Sequence, residues 1–186
     1  MTKSELRRAI RQRERELSTD ELTRGGEEIC ARVLALPEFE GAACLFCFVG
    51  AGLEVDTTPI LRAALAAGKR LCIPLCTAPG IMELREIESL DRLEKGAFGI
   101  PAPSADSALV HPKEVELAIL PCVSCSPTTG ARLGRGGGYY DRFLAQYDGT
   151  SAALCREALL REDILVEKHD RNVSMIVTEK TILRFE

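Results

Sequence analysis

The sequence predicts an α/β fold, a mostly parallel sheet with helices on both faces. Three observations predict it. The run AACLFCFV, Ala42 to Val49, is apolar throughout, as a strand covered on both faces must be. A helical segment and a second short strand, Arg70 to Pro74, follow it in a βαβ rhythm. A buried-strand pattern at Val115 to Leu120 leads into a glycine-rich loop and a helix start, Tyr139 to Tyr147. The 186 residues suit one domain, 1–186, with one sizeable core.

The elements follow in order. Ser4 to Leu17 reads as a helix with an apolar stripe of Leu6, Ala9, Ile10 and Leu17. Lys3, Arg7, Arg11 and Arg15 recur every four residues and share one face of it. Spacing alone reads that face as solvated, with Glu5, Glu14 and Glu16 as partners. Ser18-Thr19-Asp20-Glu21 is a capping-box signal for a second helix, running to about Leu36 and stopped by Pro37. Ala42 to Val49 is the first strand. Thr58-Pro59 reads as an N-cap with proline at the first helical position, and Gly68 ends that helix.

Ile81 to Ile87 alternates like a half-exposed strand. Leu90 to Gly99 reads as loop and short turns, and FGIPAPSADS as a connecting loop. Gly149 to Leu154 suggests a short strand, and Arg156 to Ile164 a helix. Val173 to Thr178 and Ile182 to Phe185 read as the last two strands.

Composition narrows the function classes. Hydrophobic residues make up 46% and charged residues 28%, a globular balance. The net charge of −4 argues against nucleic acid as a partner. MTKSELRRAIRQRERELS has no apolar core of the signal-peptide kind. No apolar run approaches the ~20 residues of a membrane helix. The expected compartment is therefore the cytosol.

Among the eight cysteines two pairs have CxxC spacing, Cys44/Cys47 and Cys122/Cys125. Cys44 and Cys47 sit within a strand, where residues three apart face opposite ways and cannot share a metal. Cys122/Cys125 stays open as a weak zinc candidate. Neither His111 nor His169 has a CxxC neighbour, and buried reduced thiols are the better account of the cysteines.

The stretch RLGRGGGYYDRFL, Arg132 to Leu144, carries the chemistry. Gly134, Gly136, Gly137 and Gly138 let backbone N–H groups approach a ligand. A following helix start adds partial positive charge, and Arg132 and Arg135 add fixed cations suited to phosphate oxygens. The loop is not GxxxxGK[ST], because no Lys follows the last Gly. Nor is it GxGxxG, because Tyr139 stands at the third Gly position.

Arg132 to Arg142 resembles the signature of the 5-formyltetrahydrofolate cyclo-ligases, RLG-x-G-(G/K)-GYYDR. The resemblance spans nearly the whole chain. It implies MgATP-dependent conversion of 5-formyltetrahydrofolate to 5,10-methenyltetrahydrofolate by phosphorylation of the formyl oxygen. It further implies ATP contacts from Lys3, Arg7, Arg132, Leu133, Gly134, Arg135, Gly136, Gly137, Gly138, Tyr139 and Tyr140. Folate would meet Val49, Glu54 and Tyr140, with Glu54-Val55-Asp56-Thr57 matching the family's Glu-hydrophobic-acid-Thr. Asp141 and Asp170 would hold magnesium. Glu54, Arg135 and Tyr140 are the residues expected to act in the reaction, and a monomer is the expected state.

Six positions depart from the family pattern: Ala102, Ser126, Arg156, Leu159, Leu165 and Ser174. They are expected near the ATP and folate pockets. They leave open an alternative, a diverged nucleotide-binding member with another substrate or a regulatory role.

Overall fold

A computed structural model of the chain describes residues 1–185. Local sequence signals set its first elements. Helix α1 (Lys3–Arg15) starts at a capping box, in which Thr2 and Glu5 satisfy each other's backbone N–H, and it buries Leu6 and Ile10. Helix α2 (Thr19–Leu34) starts the same way, from Ser18 and Glu21. It ends two residues before the expected Leu36. Pro37 opens a short helix α3 (Pro37–Gly41), since proline's missing N–H is harmless in a first turn.

Strand β1 (Cys44–Cys47) is buried at every position. Helix α4 (Thr58–Ala66) is capped at Thr57, not at Thr58, and without a side-chain bond. The Thr57 hydroxyl is committed elsewhere: it donates to the Phe48 carbonyl at 2.7 Å and accepts from the Gly50 N–H at 3.1 Å. That pair of bonds shapes the exit from β1.

Strand β2 (Arg70–Ala78) outruns the expected Pro74 and pairs antiparallel with β3 (Ile81–Ile87). Two-residue strands β4 (Glu94–Lys95) and β5 (Pro101–Ala102) pair with each other within the expected loop. Strand β6 (Leu109–Val110) pairs with β3. After β7 (Leu117–Pro121), the hairpin of β8 (Ser124–Cys125) and β9 (Arg132–Leu133) stands before the glycine loop. Helix α5 (Tyr139–Leu144), β10 (Thr150–Leu154), β11 (Met175–Val177) and β12 (Ile182–Arg184) complete the chain.

The main sheet has eight strands in the order β12-β11-β10-β7-β1-β2-β3-β6. The inner strands β11, β10, β7, β1 and β2 are parallel, while β12, β3 and β6 are antiparallel additions at its edges. Helices α2, α3 and α4 pack on one face around Leu45, Cys47, Ile119 and Val177. Helices α1 and α5 pack on the other around Phe46, Ala118, Leu120 and Ile176. Cys44 and Cys47 fall on opposite faces, as strand alternation requires. No helix among the described residues is long and apolar enough to cross a membrane.

The helix expected at Arg156 to Ile164 does not form. One 3-10 turn, Glu157–Leu159, stands there. Tertiary partners take the backbone groups a helix would pair internally. The Leu159 carbonyl accepts from Ser124 Oγ at 2.6 Å, and the Arg161 N–H donates to the Cys125 carbonyl at 3.0 Å. Buried Arg156 donates to the carbonyls of Leu22 at 2.9 Å and Leu53 at 3.3 Å, which ties this turn to α2 and to the loop after β1.

Candidate active site

In an open parallel sheet, ligands bind beyond the carboxyl ends of the strands. Here a cleft of about 740 Å³ lies beyond the ends of β1, β2 and β7. Phe48 and Val49 reach it from β1, Pro74 and Cys76 from β2, and Pro121 and Cys122 from β7. The glycine loop forms one wall from Arg132 through Asp141. Lys3 and Arg7 enter from α1, Glu54 from the loop after β1, and Asp170 from the loop before β11. The cleft thus gathers every residue assigned to a site from the sequence.

Two glycines are required by the path of the loop. Gly136 has φ of +104° and Gly138 has φ of +70°, both in the left-handed region that disfavours a side chain. A Cβ on Gly138 would stand 2.8 Å from Arg142 Nη1. That arginine fastens the loop by donating to the Gly137 carbonyl at 3.0 Å and to the Gly80 carbonyl at 3.2 Å. Helix α5 is only six residues long, so its dipole is a weak source of positive charge. Side-chain cations therefore dominate the electrostatics of this wall.

Those cations are held in three ways. Arg7 donates through Nε to the Gly134 carbonyl at 2.7 Å, and its guanidinium lies 3.5 Å from where a Cβ on Gly136 would sit. Arg132 is 5% exposed. Its fork donates to the Pro121 carbonyl at 3.1 Å and to Asp141 Oδ1 at 3.1 Å, and its Cζ lies 5.6 Å from the centre of the Tyr140 ring. Arg135 is exposed and reaches across the cleft mouth to Glu54 Oε1 at 2.8 Å.

Lys3 completes the set. It donates to Asp170 at 2.5 Å and to Glu167 at 2.7 Å, so the solvated-face partners Glu5, Glu14 and Glu16 are not the ones it finds. Burial pulls the Lys3 ammonium down, but these two hydrogen bonds outweigh it and hold its pKa above the usual value. Burial pushes the Asp170 carboxyl up, and Lys3 together with the Glu167 N–H outweighs it and holds it low. Glu54 is different: burial raises its pKa, and the Ala51 N–H at 3.0 Å and Arg135 offset this only in part. Burial likewise pushes the Tyr140 phenol up, and its ring stacks on Phe46 with centroids 6.2 Å apart.

As a magnesium site the donor set has the right chemistry, since Asp141 and Asp170 offer hard carboxylate oxygens. Each acid also pairs with a cation, Arg132 and Lys3 respectively.

Several lining residues carried no signal in the sequence. Phe98 stands on the rim with φ of +59° and 82% exposure, while Met82 and Ile100 line the same side. An exposed aromatic in a glycine- and proline-flanked loop was the one available hint. Glu167 gives no local signal because its partner Lys3 lies 164 residues away.

Of the six departures, Ala102 lines the cleft itself, and Arg156 and Leu159 stand beside it in a crevice that shares Phe48, Glu54, Pro121 and Cys122 with the cleft. Ser126 is 1% exposed and bonds Thr128 Oγ1 at 3.1 Å within the β8–β9 turn. Ser174 exchanges backbone-to-hydroxyl bonds with Ser151 inside the sheet. Arg156 and Leu159 line a small adjoining crevice with Glu14 and Cys122.

A sequence profile described as the 5-formyltetrahydrofolate cyclo-ligase family matches residues 1–179. The chain is 30% identical over 176 residues to the probable 5-formyltetrahydrofolate cyclo-ligase of Schizosaccharomyces pombe, covering 84% of each chain. It is 27% identical over 179 residues to the Escherichia coli 5-formyltetrahydrofolate cyclo-ligase, covering 93% of this chain and 98% of that one. Its fold matches the NMR structure of Aquifex aeolicus 5,10-methenyltetrahydrofolate synthetase with a TM-score of 0.88 at 32% identity, over 99% of this chain and 93% of that one. From the sheet order to the glycine loop, the chain belongs to the 5-formyltetrahydrofolate cyclo-ligase family.

Proposed function

We propose that the chain converts 5-formyltetrahydrofolate to 5,10-methenyltetrahydrofolate, consuming ATP and releasing ADP and phosphate. The observation that carries this reading is the convergence of Lys3, Arg7, Arg135 and the glycine loop on one cleft with Glu54 across its mouth. An amide oxygen is a poor nucleophile, so the protein's task is alignment and charge neutralisation. Backbone N–H groups of Gly134 to Gly138 cradle the phosphates, with Leu133 setting the entry to the loop. Lys3, Arg7 and Arg135 offset negative charge as the phosphoryl group moves to the formyl oxygen.

Arg132 acts by position. Its fork is turned to Pro121 and Asp141, so it fixes the start of α5 and the Tyr140 ring. Tyr139 and Tyr140 pack beside the reacting groups. Val49, Tyr140 and Phe98 offer apolar and aromatic surface for the flat folate ring. Asp141 and Asp170 would hold Mg²⁺, whose charge offsets that of the phosphates.

The Arg135–Glu54 pair gives the site an order of events. Arg135 is 60% exposed at its side chain, and a pair of that kind is worth only about 0.2–1 kcal/mol. A triphosphate outcompetes one carboxylate for Arg135. Glu54 is then released to orient the folate, and the neighbouring nitrogen attacks the activated formyl carbon as phosphate leaves.

The proposed working unit is a monomer, with residues 1–186 as one domain. The eight free thiols support a reducing, cytosolic setting. The test is absorbance of the methenyl product on mixing protein, MgATP and 5-formyltetrahydrofolate. ATP-dependent product supports the reading. ATP binding by calorimetry without product would sink it in favour of a diverged nucleotide-binding role.

A further inference from the structure

The sequence left Cys122 and Cys125 as a CxxC pair without further ligands. The fold supplies a third. Cys155 follows β10, and β10 lies beside β7 in the sheet, so Cys155 comes alongside the segment after β7. The Sγ atoms of Cys122, Cys125 and Cys155 all lie within 4.8 Å of one another. Thiolates bound to a metal at about 2.3 Å stand roughly 3.8 Å apart in a tetrahedral site. The triangle therefore needs only a small contraction to close on a cation.

Its backbone is already fixed. Cys125 lies in the β8–β9 hairpin and accepts the Arg161 N–H at 3.0 Å, while the Cys155 N–H donates to the Val177 carbonyl at 3.1 Å. Cys125 and Cys155 are buried, and Cys122 reaches the wall of the cleft. Charge also fits. Three thiolates on a divalent cation leave one net negative charge. Arg132 sits directly across the hairpin from Cys125, and its Nε is a buried N–H without a hydrogen-bond partner among the described residues.

We propose that Cys122, Cys125 and Cys155 form a binding site for a soft divalent cation of the Zn²⁺ type, with the remaining coordination position directed toward the cleft. Thiolate sulfur selects such a cation over Mg²⁺, so this site is chemically separate from the carboxylates Asp141 and Asp170. Binding forms three metal–sulfur bonds, breaks three S–H bonds and passes the protons to the buffer. It ties the ends of β7 and β10 together beside Pro121, whose carbonyl holds Arg132.

Cobalt(II) is the probe, titrated into the reduced, chelator-treated full chain. The proposal predicts one equivalent bound with an intense near-ultraviolet thiolate-to-cobalt band and strong visible bands of a tetrahedral site, displaced by Zn²⁺. Losing one ligand should weaken binding by at least the ~10–100-fold that a lost supporting contact costs. Cys125→Ser and Cys155→Ser should show this with the wild-type circular dichroism spectrum. Should either fail to fold, Cys122→Ser, on the cleft wall, carries the same prediction. A pale octahedral spectrum unchanged in these variants would place the cobalt on oxygen and nitrogen ligands such as Glu167, His169 and Asp170 and overturn the proposal, as would an absence of binding.

Discussion

Arg132 and Arg135 stand three residues apart in one loop, and the structure predicts opposite consequences for their loss. Arg135 is exposed and makes one contact across the cleft, to Glu54. Arg135→Ala should cost the fold about 0.2–1 kcal/mol. That corresponds to at most ~4 °C in Tm for a chain of this size. The same change removes a charge-assisted contact to phosphate worth about 1.5–3 kcal/mol. ATP should therefore bind about tenfold to 150-fold more weakly. Arg132 has the reverse profile. It is buried and spans two acceptors, Pro121 O and Asp141, which a lysine ammonium cannot bridge. Arg132→Lys should destabilise by about 2 kcal/mol through one buried acceptor left unmatched. The expected drop in Tm is ~4–8 °C. Thermal unfolding and calorimetry with MgATP measure both quantities on both variants. The reasoning is refuted if Arg135→Ala keeps wild-type ATP affinity, or if its Tm falls as far as that of Arg132→Lys.

Four further outcomes concern Glu54 and Thr57, in the loop after β1. Glu54→Gln should abolish folate turnover while leaving ATP affinity near wild type, read by product absorbance and calorimetry; parallel loss of both would remove Glu54 from substrate contact. Because burial raises the Glu54 pKa, kcat/KM should fall with decreasing pH through a limb that lies above the ordinary carboxylate value. The sign for stability is opposite: ionised Glu54 disfavours the fold, so the advantage of Glu54→Gln in denaturant should grow as pH rises through that limb and vanish below the ordinary carboxylate value. Thr57→Val leaves the Phe48 carbonyl and the Gly50 N–H without their hydroxyl partner and should cost about 1–3 kcal/mol in urea unfolding; a loss below a few tenths would mean that water replaces the hydroxyl.

The inner sheet was legible because strands covered on both faces are written as unbroken apolar runs, as in CLFC of β1 and LAIL of β7. The capping boxes at Thr2 and Ser18 are local chemistry and equally readable. What could not be read depends on distant partners. The two-residue strands of the β4–β5 and β8–β9 pairs are too short to show a period. Arg156 to Ile164 has a helical pattern, yet Ser124, Cys125, Leu22 and Leu53 claim its polar groups first.

The site divides the same way. The glycine loop is contiguous and could be found by its spacing. The pairing of Lys3 with Asp170 and of Arg135 with Glu54 joins segments that only the fold brings together. Cys155 belongs with them: spacing along the chain cannot show that β10 lies against β7.

The central claim is that the cleft aligns the formyl oxygen of a folate on the terminal phosphoryl group of ATP. Substrate carrying heavy oxygen in its formyl group tests it directly, with the released phosphate analysed by mass spectrometry. The account predicts one heavy oxygen in each phosphate, formed in step with methenyl product and ADP. Phosphate without the label would contradict it, because ATP would then be cleaved by water and not by the formyl oxygen.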